Sequence, residues 1–242
     1  MTNKRSILLA TAVLLVAASC LGQSDEPDAV MPTPPQILRN GGFSDTPDDV
    51  LKALSAESPS VRIAAAQVAG ERRMTQTIRK LQALLVDVSE VARIEAAHSL
   101  LVMGDSSGLP ELQRLVRSKD AFVVTEAAKV LATTNDMSGF DEIATRLQSG
   151  KASVGDRIIF IQALQTFRAY EPLRQQVRSL LVKSALDDPS ADVRLAAVQH
   201  LQKDESPEAQ AALSRAYQKE TDPVIRGVLE VNQQRRAAKR EQ

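Results

Sequence analysis

Tryptophan is missing from the 242-residue sequence, and only two tyrosines, five phenylalanines and one cysteine occur in it. With a single thiol, Cys20, the chain can form neither an intramolecular disulfide nor a cysteine-based metal site. Charge of either sign is not in excess either: 30 basic side chains balance 30 acidic ones, which leaves no electrostatic footprint for nucleic acid. No glycine-rich phosphate loop, G-x-S-x-G elbow or H-E-x-x-H pair occurs, and the two histidines, His98 and His200, lie 102 residues apart. These absences argue against an enzyme, a metal centre and a nucleic-acid binder. What is present is aliphatic. Hydrophobic residues make up 43% of the chain and are mostly Ala, Leu and Val. Ala and Leu are strong helix formers, and Ala lets helices approach closely, so an all-α protein is predicted.

The one long apolar run, Ile7 to Ala18, follows Lys4 and Arg5 and ends in small residues. That is the layout of a secretory signal over residues 1–19, and it is too short for a membrane span. Its end, Ala17-Ala18-Ser19-Cys20, resembles the lipobox of bacterial lipoproteins, with Ala17 where leucine is usual. The resemblance implies a lipid on Cys20 and attachment to a membrane of the bacterial envelope. Leu21, in place of an aspartate that marks inner-membrane retention, implies the outer membrane facing the periplasm. Loss of the signal leaves 28 basic against 30 acidic side chains, so no polybasic membrane contact is expected. Residues 20–45 hold Pro27, Pro32, Pro34 and Pro35, then Gly41 and Gly42, which predicts a tether without a continuous helix. Its roughly 25 residues would reach about 25–30 Å.

From Thr46 onward one pattern recurs. The segment "DPSADVRLAAVQHL" contains V-R-x-x-A-V-x-x-L, from Val193 and Arg194 through Ala197 and Val198 to Leu201. Related segments begin at Val61, Ala92, Val123, Ile159 and Ile225. Aligned on their second residues, Arg62, Arg93, Val124, Phe160, Arg194 and Arg226, the steps are 31, 31, 36, 34 and 32 residues. Each interval also holds another helical segment with its own start signal, such as Thr46-Pro47 and Ser206-Pro207. Six units of two helices follow. One such pair cannot bury its apolar stripe alone, whereas stacked pairs share a continuous core.

The pattern resembles the bacterial HEAT-like repeats related to phycobilin lyases, whose second helix carries D-x-x-x-V-R-x-x-A-A-x-x-L. The resemblance covers residues 46–236 and implies a right-handed α-solenoid of about six two-helix repeats, followed by a basic tail over residues 237–242. The first, fifth and ninth positions of the second helix share a face, so Val193, Ala197 and Leu201 should point inward. An acid lies six residues before the arginine in three units: Asp87 with Arg93, Asp188 with Arg194, Glu220 with Arg226. In HEAT-like repeats such pairs tie the turn to the second helix or to the neighbouring repeat, so these six residues are expected to be structural. Val124 and Phe160 replace arginine in units three and four, which would interrupt the ladder. The apolar segment "RIIFIQALQTF" is expected to be deeply buried, with an exposed patch for a partner as the alternative. Glu230 in the last unit suits a polar cap.

Function then rests on the outward positions of the second helices: Glu95, His98, Glu126, Lys129, Gln162, Gln165 and Gln199. This stripe is mixed and mostly uncharged, unlike the basic surface that DNA requires. It suits an envelope protein or peptide held by hydrogen bonds. Glu95 lies one turn before His98, and an exposed polar contact is the simplest reading of that pair. The expected function is a non-enzymatic, lipid-anchored scaffold without a cofactor. A HEAT-like lyase or lyase accessory binding a chromophore is the alternative. The basic cluster Arg235, Arg236, Lys239 and Arg240 is expected to complement the dipole at the end of its helix.

Overall fold

The computed structural model describes residues 31–240. The signal sequence, Cys20, most of the tether and the last two residues lie outside them. Among the described residues the regular elements are thirteen α-helices and two short 3-10 turns, in two compact units that divide between Leu115 and Val116.

The first unit contains α1 (Pro34–Asn40), α2 (Pro47–Ala53), α3 (Pro59–Glu71), α4 (Ile78–Leu84), α5 (Glu90–Val102) and α6 (Leu109–Leu115). Helix α1 corrects the tether expected over residues 20–45. Pro34 and Pro35 stand in its first turn, where a missing N–H costs nothing. The Thr33 N–H donates to Gln36 Oε1 at 2.7 Å across that turn. Gly41 follows the helix, and Gly42, with φ +83°, reverses the chain in a conformation that favours glycine. Leu38 is fully buried among Val50, Leu54 and Val61, so α1 belongs to the folded part.

Helices α1 and α2 pack on α3, α3 packs on α5, and α4 and α6 pack on α5 as well. The α3 sequence explains why it sits so deep. Ala64, Ala65, Ala66, Ala69 and Gly70 present almost no side chain, so neighbours approach from several sides. A Cβ on Gly70 would lie 2.5 Å from Ser99 Oγ, and that hydroxyl donates to Ala66 O at 2.7 Å.

The second unit contains α7 (Ala121–Ala132), α8 (Ser138–Ser149), α9 (Val154–Phe167), α10 (Glu171–Asp187), α11 (Ala191–Leu201), α12 (Pro207–Lys219) and α13 (Pro223–Arg240). Helices α7, α9, α11 and α13 stack in one layer, and α8, α10 and α12 in another. Within each unit, therefore, consecutive helix pairs stack layer on layer, which is α-solenoid packing. The apolar helix of the fourth pair is buried: Phe160, Ile161, Leu164 and Phe167 all lie in the core. Phe167 meets Phe140 at 5.4 Å with the rings tilted by 54°. Val193, Ala197 and Leu201 are fully buried, as their spacing predicts. The expected tail is corrected as well, because α13 continues through Arg240.

Candidate functional site

Each second helix starts from a cap residue. Ser58, Ser89, Asp120, Ser153 and Ser190 precede α3, α5, α7, α9 and α11. Asp222 serves α13, accepting the N–H groups of Val224 and Ile225 at 2.9 and 3.1 Å. Four residues beyond the cap stands an arginine, Arg62, Arg93, Arg157, Arg194 or Arg226, with Val124 as the exception.

Three of these arginines grip the turn of the following pair. Arg62 Nε and Nη2 donate to the Asp87 carboxylate at 2.7 and 2.8 Å, while Nη1 donates to the carbonyls of Ala56 and Glu57. Arg157 makes the same fork to Asp188 at 2.9 and 3.0 Å, and Arg194 to Glu220 at 2.8 and 2.9 Å. Each acid also accepts backbone N–H groups of its own turn, from Ser89, Ser190, and Thr221 with Asp222 respectively. Two parallel bonds fix both distance and direction, so the ladder sets how one pair sits on the next. Burial alone would push the Asp87 carboxyl up, but Arg62 and the Ser89 N–H outweigh it and hold it below the usual range. The hydrogen bond from Arg194 likewise holds Glu220 down at about 2.

The expected pairings Asp87–Arg93, Asp188–Arg194 and Glu220–Arg226 exist through backbone rather than carboxylate. Each arginine donates to the carbonyl of that acid, at 2.6, 3.0 and 3.0 Å, while the carboxylates of all three acids accept from the arginine of the preceding pair or from their own turn. Arg93 Nε lies 2.8 Å from Glu111 Oε1. Arg226 makes no ion pair among the described residues; its guanidinium sits 5.0 Å over the Tyr217 ring. Phe160 does not replace an arginine, because Arg157 holds that position. The apolar residues of this helix recur every three or four places, so the template slides by one turn without losing its apolar matches. Val124 marks the one second helix without the arginine, and the acid position six residues before it is also lost, to Ser118. Lys151 occupies the acid position of the next turn, so arginine and acid are lost together.

The expected outward stripe is divided. Glu95 and Glu126 are buried, with relative exposures of 6% and 3%, which overturns the exposed contact expected for Glu95 and His98. The sixth position of α5 turns toward α3, where Gln67 Nε2 donates to Glu95 Oε2 at 3.4 Å. His98 Nδ1 lies 3.4 Å from Glu95 Oε1. Burial pushes the His98 imidazole down, but the hydrogen bond and charge of Glu95, joined by Glu71, outweigh it and hold it above the ordinary histidine value. Lys129 Nζ lies 2.5 Å from Glu126 Oε1. Gln165 is half-buried, and its Nε2 has no hydrogen-bond partner among the described residues. Only Gln162 and Gln199 are exposed as expected.

A groove of about 1040 Å³ opens beside Gln199, between the end of α11 and the outer side of α13. Gly227 faces it, and a Cβ there would meet nothing within 4 Å. Among the described residues no three His, Cys, Asp or Glu side chains converge on a metal position. No described helix is long and apolar enough to cross a membrane.

Residues 47–132 match the family model of HEAT repeats. No curated protein matches it in sequence. Among solved structures it is similar to a chain in the complex of CpcE and CpcF of phycocyanin lyase from Nostoc sp. PCC7120. The identity is 19%, over 86% of this chain and 77% of that one, with a TM-score of 0.44.

Sequence reasoning missed Arg157, the partners Gln67 and Glu71 of the buried pair, and the groove. The first was readable from the cap, since Ser153 precedes Arg157 by the spacing that links Ser58 to Arg62. The other two depend on which helix lies alongside, and no local signal carries that.

Proposed function

We propose that this protein is a non-catalytic scaffold, held at a bacterial envelope by lipid on Cys20, which takes a protein partner on the second-helix face of its HEAT repeats. The observation that carries the reading is the exposure of Gln162 and Gln199, each the ninth residue of its helix, on a framework tied by buried arginine forks. A glutamine amide both donates and accepts, so two of them on a rigid face can satisfy the backbone or polar side chains of a peptide without requiring a fixed charge. Rigidity in advance of binding lowers the ordering cost of association. The envelope address is supported by the sequence of residues 4–20.

Two measurements test this. Labelled palmitate is expected to enter the wild-type protein and not Cys20→Ala; entry into both, or into neither, removes the anchor. A photo-crosslinking residue placed at Gln162 or Gln199 is expected to form an adduct with an envelope protein, and one placed at the exposed Lys183 of α10 is not. No adduct at either glutamine overturns the surface assignment.

A further inference from the structure

Two of the few large hydrophobic side chains left exposed among the described residues, Val224 at 62% and Val231 at 46%, line the groove between α11 and α13. With Val228 and the bare backbone of Gly227 they form its floor. Lys203, Arg235 and Arg236 stand on its walls, and none of the three is in an ion pair among the described residues. Glu205 is the one carboxylate among the lining residues.

Gly227 is the second, independent pointer. Where glycines occur elsewhere in these helices, packing explains them: a Cβ on Gly139 would lie 2.5 Å from Ala128 Cα, and one on Gly108 2.6 Å from Ala97 Cα. Gly155 has open space but sits in the first turn of α9, where helix propensity matters little. Gly227 lies at the fifth position of an 18-residue helix and meets no neighbour, so nothing within the fold requires it. A helix-interior glycine that opens onto a groove lets another backbone come close.

We propose that this groove binds an extended acidic segment with small aliphatic side chains, supplied by another protein: carboxylates to Lys203, Arg235 and Arg236, aliphatic groups on the valine floor. This deepens the scaffold reading and rests on it. A second copy of the chain is disfavoured, because symmetric pairing through this face would set the same cations against each other. A bilayer surface fits less well than a peptide, because the valines line a recess that a flat lipid surface does not enter.

The test uses the full chain and a fluorescein-labelled decapeptide in which Asp or Glu alternates with Leu or Val, beside an isomer carrying Lys for each acid. Fluorescence anisotropy is expected to show binding of the acidic peptide only, weakening with salt. Arg235→Glu with Arg236→Glu is expected to weaken it by about tenfold or more, as reversed charge at a rim does. Gly227→Leu is expected to block binding while the melting temperature holds or rises, which separates occlusion from unfolding.

Equal binding of both peptides, or unchanged binding by either variant, overturns the proposal. So does displacement of the peptide by vesicles of anionic lipid at equal charge, or a dimer in sedimentation that the arginine variant dissolves. If the peptide fails while the crosslink at Gln162 persists, the groove falls and the scaffold stands. If the peptide binds as described and Gln162 yields no adduct, the groove stands and the wider face falls.

Discussion

In the first unit the leading helices of the pairs, α2, α4 and α6, are seven residues long, whereas α8, α10 and α12 of the second have 12, 17 and 13. At 1.5 Å per residue that is about 10 Å against about 18–25 Å. The second helices differ to match. Nine of the 13 residues of α3 are buried, including the polar Gln67, but only four of the 11 in α11. The ninth helical position is thus a core position in α3 and a surface position, Gln199, in α11. The lesson is that one repeat pattern yields two environments. Where small residues let neighbours close in, polar groups are drawn inside and must find partners; where the second helix keeps one side open, the same position can meet another molecule.

The largest effect that can probe this contrast comes from the ladder, which both units share. Arg157 and Asp188 each retain only 10% of their side-chain exposure. Removing the cation leaves a carboxylate covered and uncompensated, so Arg157→Ala is expected to destabilise the protein by about 3 kcal/mol, at the low end for a broken buried pair. Arg226→Ala at the end of the array gives up a contact with Tyr217 and is expected to cost about 0.5–1 kcal/mol. Urea denaturation checks both. Equal losses would mean that the ladder acts through its backbone bonds alone.

Glycine substitutions sharpen the comparison within the second unit. Alanine at Gly139 would push into the backbone of α7, and overpacking of this kind is expected to cost about 1–3 kcal/mol. At Gly227 the added methyl meets open space and removes a helix-interior glycine, so Gly227→Ala is expected to stabilise by about 0.5–1 kcal/mol. A loss at Gly227 in thermal melts would show that the fold itself needs that glycine.

How far these features were legible follows from how local each signal is. Thr46-Pro47 and Ser206-Pro207 mark helix starts correctly because a cap and its proline act within one turn. Pro34 and Pro35 look like helix breakers in the sequence although they begin α1, since the same residue type does either according to position. The arginine ladder was visible as spacing, but assigning each carboxylate needs the neighbouring pair, and Asp87 binds Arg62, 25 residues earlier. Glu95 reads as outward because its face is polar on its own helix; burial is imposed by α3. The groove has no sequence signature, as it joins the end of α11 to an unremarkable run of valines in α13.

The two histidines give the smallest and most direct contrast. In the first unit, Glu95 and Glu71 raise His98 above the ordinary value of about 6.5. In the second, burial pushes His200 down, helped by the charges of Lys203 and Arg168, and its Nδ1 is buried without a hydrogen-bond partner among the described residues. A raised folded pKa contributes stability that is full below about 6.5 and is lost as pH climbs through the folded value. A lowered one contributes above about 6.5 and is lost as pH falls through the folded value. Acidification from about pH 8 to about pH 5.5 should therefore strengthen α5 and weaken α11. Hydrogen-exchange protection factors of the two helices would read opposite trends, abolished separately by His98→Gln and His200→Gln. Trends of the same sign in both helices would show that the carboxylates around His98 do not overcome its burial, and that the charge environments of the two units are alike.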